Sequence, residues 1–527
     1  MSISLEGTSI IGWQRGAGSE PAGCGIDAAT GRELEPPYMA ASDAEVDHAC
    51  RLAVEAFPVY AALPASRRAE FLQKIAGNIE ALDDVLVERV MAETALPMAR
   101  VKGERARTCF QLRMFAAVAE EGSWVDARIE TAQPDRTPLP KPDLRSMRLP
   151  SGPVAVFGAG NFPLAYSVAG GDSASALAAG CPIVVNAHHG HPGTAELVGM
   201  AVRDAAQETG MPEGVFSLLY GAGHGVGQAL VAHPAIRGVG FTGSRAGGQA
   251  LAAAAAARQT PIPVFAEMSS VNPVFILPAA LRERWGDIAE GLHTSVTTGL
   301  GQFCTKPGLV FVEAGREADQ FVAKLGALFA ATAAGPMLNK NIADNFAEKR
   351  ARLGSIPTVQ AVAEGAGPQA GLFLTTARAW RMNGLLHEEV FGPTTLLVLC
   401  ENQGDFLKCA EALEGQLTAS LHAEAADAPA LQKLLPVLTR KAGRVIHNGW
   451  PTGLEVSHAT VHGGPFPATS DGRSTSVGSG AISRWTRVVC YQNTPDEWLP
   501  RELKKDNPHN IWRLVNGRRV APTPSKA

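Results

Sequence analysis

The stretch 153-PVAVFGAGNFP-163 runs from an unbroken apolar segment into two glycines and an asparagine. A short apolar run bounded by glycine reads as a buried strand that ends in a tight turn. The pattern repeats downstream. Strand-like runs PIVVN (182–186), VFSLLY (215–220), GVGFTG (238–243) and PVFAEM (263–268) are separated by Ala-rich helical stretches such as 194-TAELVGMAVRDAAQ-207. This alternation predicts an α/β fold with a parallel sheet covered on both faces. Ligands of such sheets bind at the carboxyl ends of the strands. The residues just past each strand are therefore the candidates for chemistry.

Ahead of this region, 42–120 reads as helical. Ser42 with Glu45 makes a capping box, and Val46, Ala49, Leu52, Ala53, Ala56 and Phe57 share a stripe. Phe71, Leu72, Ile75, Ile79 and Leu82 form a second one. Between 124 and 152 apolar and polar residues alternate, and three prolines follow within 138–142. That pattern suits an edge strand or an extended arm, with an oligomer contact and a plain linker both open. From about 270 strands (PVFILP, PGLVFVE, TTLLVLC) again mix with helices such as 318-ADQFVAKLGALFAATA-333, predicting a second α/β unit. The polar tail beyond 495 reads as surface-laid or frayed.

A length of 527 residues calls for two or more packed units. Hydrophobic residues at 46% and charged residues at 19% describe a globular protein. The net charge of −4 gives no reason to expect a nucleic-acid surface. No signal peptide is evident, and the run 250-ALAAAAAA-257 is far too short for a membrane span, so a cytoplasmic protein without membrane partners is expected. Eight scattered cysteines, with no CxxC pair and no His-rich partner spacing, suggest neither a metal site nor a disulfide framework.

Several segments carry chemical potential. In 241-FTGSRAGG-248, Gly243 and Gly248 bracket a turn before a helix whose amides would face a phosphate, although glycines also simply end strands. Asn161 can donate to a developing oxyanion or merely form its turn. Glu267 ends an apolar strand, where burial would raise its pKa into the range of a general base; the alternative is a surface or salt-bridged strand end. Cys304, alone in 301-GQFCTKPG-308, is either a small buried hydrophobe or a nucleophile.

Taken in order, 158-GAGNFP-163, 241-FTGS-244, 267-EMSS-270, 301-GQFCTKPG-308 and 388-EEVFGP-393 resemble the aldehyde dehydrogenase superfamily over about residues 25 to 495. GDSASALAAGCP, HPGTAELVG, GFTGSRAGG, NGWPTGLEV and HGGPFPATSD are similar to its bacterial branch of 2-oxoglutarate semialdehyde (2,5-dioxopentanoate) and NADP-linked fatty aldehyde dehydrogenases. The resemblance implies a Rossmann-like dinucleotide-binding domain (1–123 and 153–268) and an α/β catalytic domain (269–475). It further implies a small β oligomerisation arm (124–152 and 476–500), a C-terminal tail (501–527) and a homodimer or homotetramer.

By the same resemblance Cys304 is the nucleophile toward an aldehyde, Asn161 the oxyanion donor, and Glu267 the base for the thiol and for water. Thr242, Gly243, Ser244 and Gly248 match the segment that meets the cofactor pyrophosphate. Gly223 matches a glycine near the adenine. Glu389 and Phe391 match the positions that hold and flank the nicotinamide ribose. Retention of Glu267 argues against the CoA-acylating relatives.

Three departures stand out. The ELGG-like segment is EMSS here, which puts its loop geometry in question. Asn186 stands where the family usually carries a lysine on the adenosine ribose, so it supplies no charge to a 2′-phosphate. His189 stands where NAD-selective members carry a glutamate, which removes a repulsion, and His188, His189 or His191 could donate to a 2′-phosphate. NADP with tolerance for NAD is the expected cofactor. Three alternatives stay open: a long-chain aldehyde dehydrogenase, a catalytically retired binding or structural homologue, and a cysteine hydrolase, the last opposed by the lack of a histidine near Cys304 in sequence.

Overall fold

Ser42 opens the first helix as a capping box requires. Its hydroxyl accepts from the Glu45 amide (3.3 Å) and the Glu45 carboxylate accepts from the Ser42 amide (2.8 Å). The computed structural model, which describes residues 4–364 and 369–523, continues from there as α1 (Asp43–Ala62), α2 (Ala65–Ala81), α3 (Asp83–Thr94) and α4 (Met98–Glu121). The second stripe is buried throughout. In the first, Leu52 and Phe57 are half-buried, and Cys50 and Tyr60 fill the core-facing places instead.

The five sequence-read strands are β1 (Val154–Phe157), β2 (Ile183–Asn186), β3 (Phe216–Leu219), β4 (Gly238–Thr242) and β5 (Val264–Glu267). They pair in parallel in the order β5-β4-β1-β2-β3, and the short antiparallel strands Ile10–Ile11 and Gln14–Arg15 extend the β3 edge. Alternate residues feed two cores. Val154, Val156, Ile183 and Val185 pack with α2, α4, α5 (Gly171–Ala179) and α6 (Pro192–Glu208). Ala155, Phe157, Val184 and Val239 pack with α1, α7 (Gly225–Ala232) and α8 (Arg245–Ala256). At about 1.5–3 kcal/mol for each fully buried large apolar side chain, this two-sided burial is what makes continuous apolar strands favourable. The strand order reverses between β1 and β4, so a crevice opens at their carboxyl ends.

A second sheet follows: β6 (Val274–Ile276), β7 (Leu309–Glu313), β8 (Gln360–Ala363), β9 (Gly371–Thr376), β10 (Thr394–Cys400), β11 (Gln416–His422) and β12 (Ala442–His447), ordered β8-β9-β10-β7-β6-β11-β12. Only β8 runs antiparallel to its neighbour. The two sheets meet through the 267–274 connection, which sets the end of β5 against the turn that carries Cys304.

The 124–152 region forms two strands of a separate sheet, ordered Thr486–Gln492, Leu144–Pro150, Arg128–Glu130, Arg513–Val515, Arg518–Val520. Leu144–Pro150 is interior to this sheet rather than an edge, because the prolines sit in the loop before it. Residues 501–523 are largely exposed, as expected, but they are anchored rather than frayed. They add two strands, and Leu503 and Ile511 are buried with Val125, Ile129 and Met147. Among the described residues no helix is long and apolar enough to cross a membrane.

Candidate active site

Cys304 sits on an irregular turn after a long helix (Pro278–Thr297), within the segment that follows the 3-10 turn Thr298–Gly301. Gly301 has φ +63°, and a Cβ there would collide with the Gly392 carbonyl. Only glycine lets this turn lie against the EEVFGP segment. Asn272 fixes the turn from the other side: its Nδ2 donates to the carbonyls of Cys304 (2.8 Å) and Lys306 (3.0 Å).

Lys306 was not singled out from sequence, yet it is 2% exposed. Its ammonium donates to the carbonyls of Val390 (2.9 Å) and Thr394 (2.7 Å), tying the cysteine turn to EEVFGP. Burial pulls its pKa down to about 8, against the opposing pull of Glu389.

Glu267 is not a surface strand end: it is 2% exposed. Ser476 Oγ donates to its Oε2 (2.7 Å), and His462 Nε2 lies 2.8 Å from Oε1. That same Nε2 is 3.4 Å from Cys304 Sγ. One ring nitrogen thus stands between thiol and carboxylate. The contact to Oε1 is close but poorly aligned, which leaves Oε1 without an aligned donor. The ligand-type atoms of Glu267, Cys304 and His462 all lie within 4.8 Å of one another.

The expected rise in the Glu267 pKa is corrected. Burial does push it up, but His462, Ser476 and Cys304 outweigh burial and hold the carboxyl below its ordinary range. The thiol moves the other way. Burial and the Glu267 charge raise Cys304 well above its usual value, and Arg107 opposes them. At rest the pair is a thiol facing a carboxylate.

Asn161 follows β1 and joins this group. Its Nδ2 donates to the Gln302 carbonyl (3.0 Å), two residues before the cysteine, so one of its two N–H groups remains for an incoming oxygen. The loop is held by Glu104, which accepts from the amides of Leu164 and Ala165 (2.9 and 3.0 Å), and by His191, whose Nε2 contacts the Ala159 carbonyl (3.1 Å).

The EMSS serines are wired into the site. Ser270 Oγ donates toward Asn272 Oδ1 (3.0 Å) and Gln416 Oε1 (2.9 Å) and accepts from the Leu417 amide (3.0 Å). Burial raises the Glu389 carboxyl, while Lys306, the Ser269 hydroxyl, Lys349 and the Ser270 amide draw it down. Glu389 is thereby oriented by the two serines. Phe391 stands half-buried just beyond it.

The other cofactor candidates line the crevice. Thr242 ends β4 opposite Glu267, and the Gly243 amide donates to the Glu267 carbonyl (3.1 Å). Ser244 caps α8 by accepting from the Gly247 amide (3.1 Å), which leaves the amides of the first turn facing out of the helix. Gly248 lies inside that helix, where a Cβ would press on Met268 at 2.7 Å, so its missing side chain lets α8 pack on β5. Asn186 ends β2; its Oδ1 is buried without a partner among the described residues. Gly223 lies on the exposed turn before α7, beside that strand end.

The three histidines stack on one another. His188 stacks between His189 (4.5 Å) and His191 (5.0 Å). Burial and mutual repulsion hold His188 well below its ordinary range and lower His189 as well. Only His189 is exposed. A dinucleotide fits this crevice: an open helix N-terminus, an unpartnered Asn186 oxygen and the oriented Glu389 carboxylate lie along it.

His462 is the functional residue that sequence reasoning missed. It lies within the HGGPFPATSD motif, 158 residues beyond the cysteine, and its role depends on the loop that returns to β5. A histidine distant in sequence is close in space, so the objection to a cysteine–histidine pair does not stand.

A dinucleotide-type crevice that opens onto a cysteine, a carboxylate and an amide donor defines a cysteine-dependent oxidoreductase. The chain belongs to the aldehyde dehydrogenase family, whose profile matches residues 26–487. It is 50% identical over 523 residues (98% of this chain, 100% of the other) to "Alpha-ketoglutaric semialdehyde dehydrogenase 2" of Azospirillum brasilense. It is 45% identical over 521 residues (97% and 98%) to an alpha-ketoglutaric semialdehyde dehydrogenase of Acinetobacter baylyi. Among solved structures, lactaldehyde dehydrogenase from Escherichia coli shares the fold with a TM-score of 0.79 at 22% identity (92% and 99% covered). NADP-dependent glyceraldehyde-3-phosphate dehydrogenase from Bacillus halodurans does so with 0.78 at 21% identity (93% and 100%). The protein is an aldehyde-oxidising oxidoreductase of the NAD(P)-using kind.

Proposed function

We propose that this protein oxidises 2-oxoglutarate semialdehyde (2,5-dioxopentanoate) to 2-oxoglutarate. The observation that carries this reading is the near-full-length likeness to two alpha-ketoglutaric semialdehyde dehydrogenases, at 50% and 45% identity. The alternative of a long-chain substrate has no comparable support. The convergence of Cys304, His462 and Glu267 supports a working site over a retired one.

An aldehyde has no leaving group, so the thiol of Cys304 first adds to its carbonyl carbon. Glu267 takes the thiol proton, and His462, whose Nε2 lies between the two groups, keeps thiol and carboxylate in reach of each other. The oxyanion that forms is met by the free N–H of Asn161 and by a backbone N–H near Cys304. A bound nicotinamide would supply the hydride acceptor, and loss of hydride from the same carbon leaves a thioester on Cys304. After that proton passes to solvent, Glu267, again a carboxylate, removes a proton from the attacking water and returns it to the departing thiolate, so that the acid is released and the thiol of Cys304 is restored. Glu389 would hold the nicotinamide ribose, Ser244 and its helix end the pyrophosphate, and Asn186 the adenosine ribose.

For the cofactor we favour NADP with tolerance for NAD. The support is the absence of a carboxylate at position 189, not a new cation, because burial lowers the pKa of His188 and of His189. A homodimer or homotetramer is supported by the unpaired edge strand Thr486–Gln492, where Val488 is 60% exposed. Eight free cysteines fit a reducing, cytoplasmic setting.

The test is a substrate panel read by reduced nicotinamide, with NAD and NADP each supplied. The proposal expects kcat/KM for 2-oxoglutarate semialdehyde to exceed that for a C10 aldehyde by a wide margin; the reverse order would replace it with the long-chain reading.

A further inference from the structure

Three side chains of metal-ligand type converge where the two sheets meet. Cys304 Sγ, His462 Nε2 and a Glu267 carboxylate oxygen all lie within 4.8 Å of one another. Glu267 and His462 are each 2% exposed while Cys304 is half-buried, so the group is entered from the cysteine side. Glu267 Oε1 faces the other two atoms and is buried without an aligned donor among the described residues. An acceptor left in this state has capacity for a cation.

The group is also held from outside. Ser476 Oγ donates to Glu267 Oε2 (2.7 Å), which leaves Oε1 toward the histidine, and it reaches the His462 carbonyl as well (3.1 Å). The Ser476 amide donates to that same carbonyl (2.8 Å), and the His462 amide donates to Thr475 Oγ1 (2.9 Å). Asn272 fixes the cysteine turn through the Cys304 carbonyl (2.8 Å). Partners of this kind orient ligands before a metal arrives.

The spacing and the donor types suit zinc. A tetrahedral zinc about 2.3 Å from sulfur and about 2.0 Å from nitrogen holds those two atoms about 3.5 Å apart. Sγ and Nε2 are 3.4 Å apart. The Nε2 to Oε1 separation of 2.8 Å would open by about half an ångström to meet the same geometry. Thiolate and imidazole favour zinc over magnesium or calcium, which take oxygen donors. Thiolate and carboxylate together balance the charge of Zn2+, and the positive charge of Arg107, felt at the thiol, weakens the site relative to a structural one.

We propose that Cys304, His462 and Glu267 form a reversible inhibitory site for Zn2+, with water as the fourth ligand. Binding forms a zinc–sulfur bond, the thiol proton leaves to solvent, and no oxidation state changes. The metal then occupies both the sulfur that attacks the aldehyde and the carboxylate that takes its proton. Turnover stops until a chelator removes the ion. This inference goes beyond the functional reading and rests on it only for the inhibition, because metal binding is read without turnover.

The experiment titrates EDTA-treated protein with Co2+, followed by its visible spectrum, and with Zn2+, followed by calorimetry. Wild type is expected to bind one ion at this site, with the intense bands of tetrahedral cobalt and a thiolate-to-cobalt charge-transfer band. Cys304→Ser should lose the charge-transfer band. His462→Asn and Glu267→Gln should each weaken Zn2+ binding by roughly 100-fold or more, about one ligand's share of a zinc site's affinity. Each variant is first shown to bind the nicotinamide cofactor, which guards against misfolding. On wild type alone, Zn2+ should block both aldehyde oxidation and iodoacetamide labelling of Cys304, Mg2+ at the same concentration should do neither, and EDTA should restore both. Equal Zn2+ affinity in wild type, His462→Asn and Glu267→Gln would mean that the thiolate binds alone and would overturn the site. An unaltered cobalt spectrum in Cys304→Ser would overturn it too. If wild type gives these spectra yet oxidises no aldehyde, the functional reading fails and the metal site stands.

Discussion

His462 Nε2 lies 3.4 Å from Cys304 Sγ and 2.8 Å from Glu267 Oε1, so a single nitrogen spans nucleophile and base. Replacing the ring with asparagine keeps a polar group in the space but removes the contact that holds thiol and carboxylate in register. His462→Asn is expected to lower kcat/KM by about 100-fold, the cost of misplacing reacting groups by about 1 Å. It should also slow iodoacetamide labelling of Cys304 at neutral pH while leaving cofactor affinity in place. Unchanged labelling would reduce His462 to packing.

Glu267→Gln separates the two halves of the reaction. The carboxylate charge helps raise the Cys304 pKa, so its removal should move the pH midpoint of thiol alkylation downward. Turnover should nevertheless fall, because the thioester loses the base for its water. A burst of reduced nicotinamide followed by a slow steady state is the expected trace. A midpoint that moves upward contradicts the electrostatic account.

Lys306→Met would leave the Val390 and Thr394 carbonyls without their buried donor. A loss of about 2–4 kcal/mol of stability is expected, with a raised KM for the cofactor because Glu389 loses a neighbour. Lys306 is held at about 8 in the fold against an ordinary 10.5. Between those values the unfolded chain binds more protons, so this group makes the wild type gain stability as pH rises through the window. Denaturant melts across that window should show the gain in wild type and not in the variant.

Asn186→Lys would place an ammonium at the end of β2, facing the adenosine side of the crevice. Affinity for NADP is expected to rise by about tenfold, and that for NAD by less, because only the former adds a 2′-phosphate. His189→Glu should act in the opposite sense and disfavour NADP. Nicotinamide fluorescence titrations with both cofactors check the two directions.

The parallel sheet was legible because its strands are continuous apolar runs closed by glycine, and Ser42 announced its helix through a local hydrogen-bond pattern. Cys304, Glu267 and Asn161 could be read only as a set, since each alone has an ordinary structural role. His462 escaped because nothing local marks a histidine whose partners lie on β5 and on the cysteine turn. Lys306 reads as a loop residue until the EEVFGP carbonyls are seen around it. Arg513–Val515 and Arg518–Val520 are too short and too charged to look like strands, and they become strands only by pairing with the arm. The Glu267 pKa was misjudged because burial was visible in the strand pattern while its hydrogen-bond donors were not.

The most direct measurement is the formation of reduced nicotinamide from 2-oxoglutarate semialdehyde by wild type and by Cys304→Ala, both first shown to bind NADP. The account predicts turnover by wild type and none above the uncatalysed background by the variant. Turnover by Cys304→Ala at a rate comparable to wild type would contradict it.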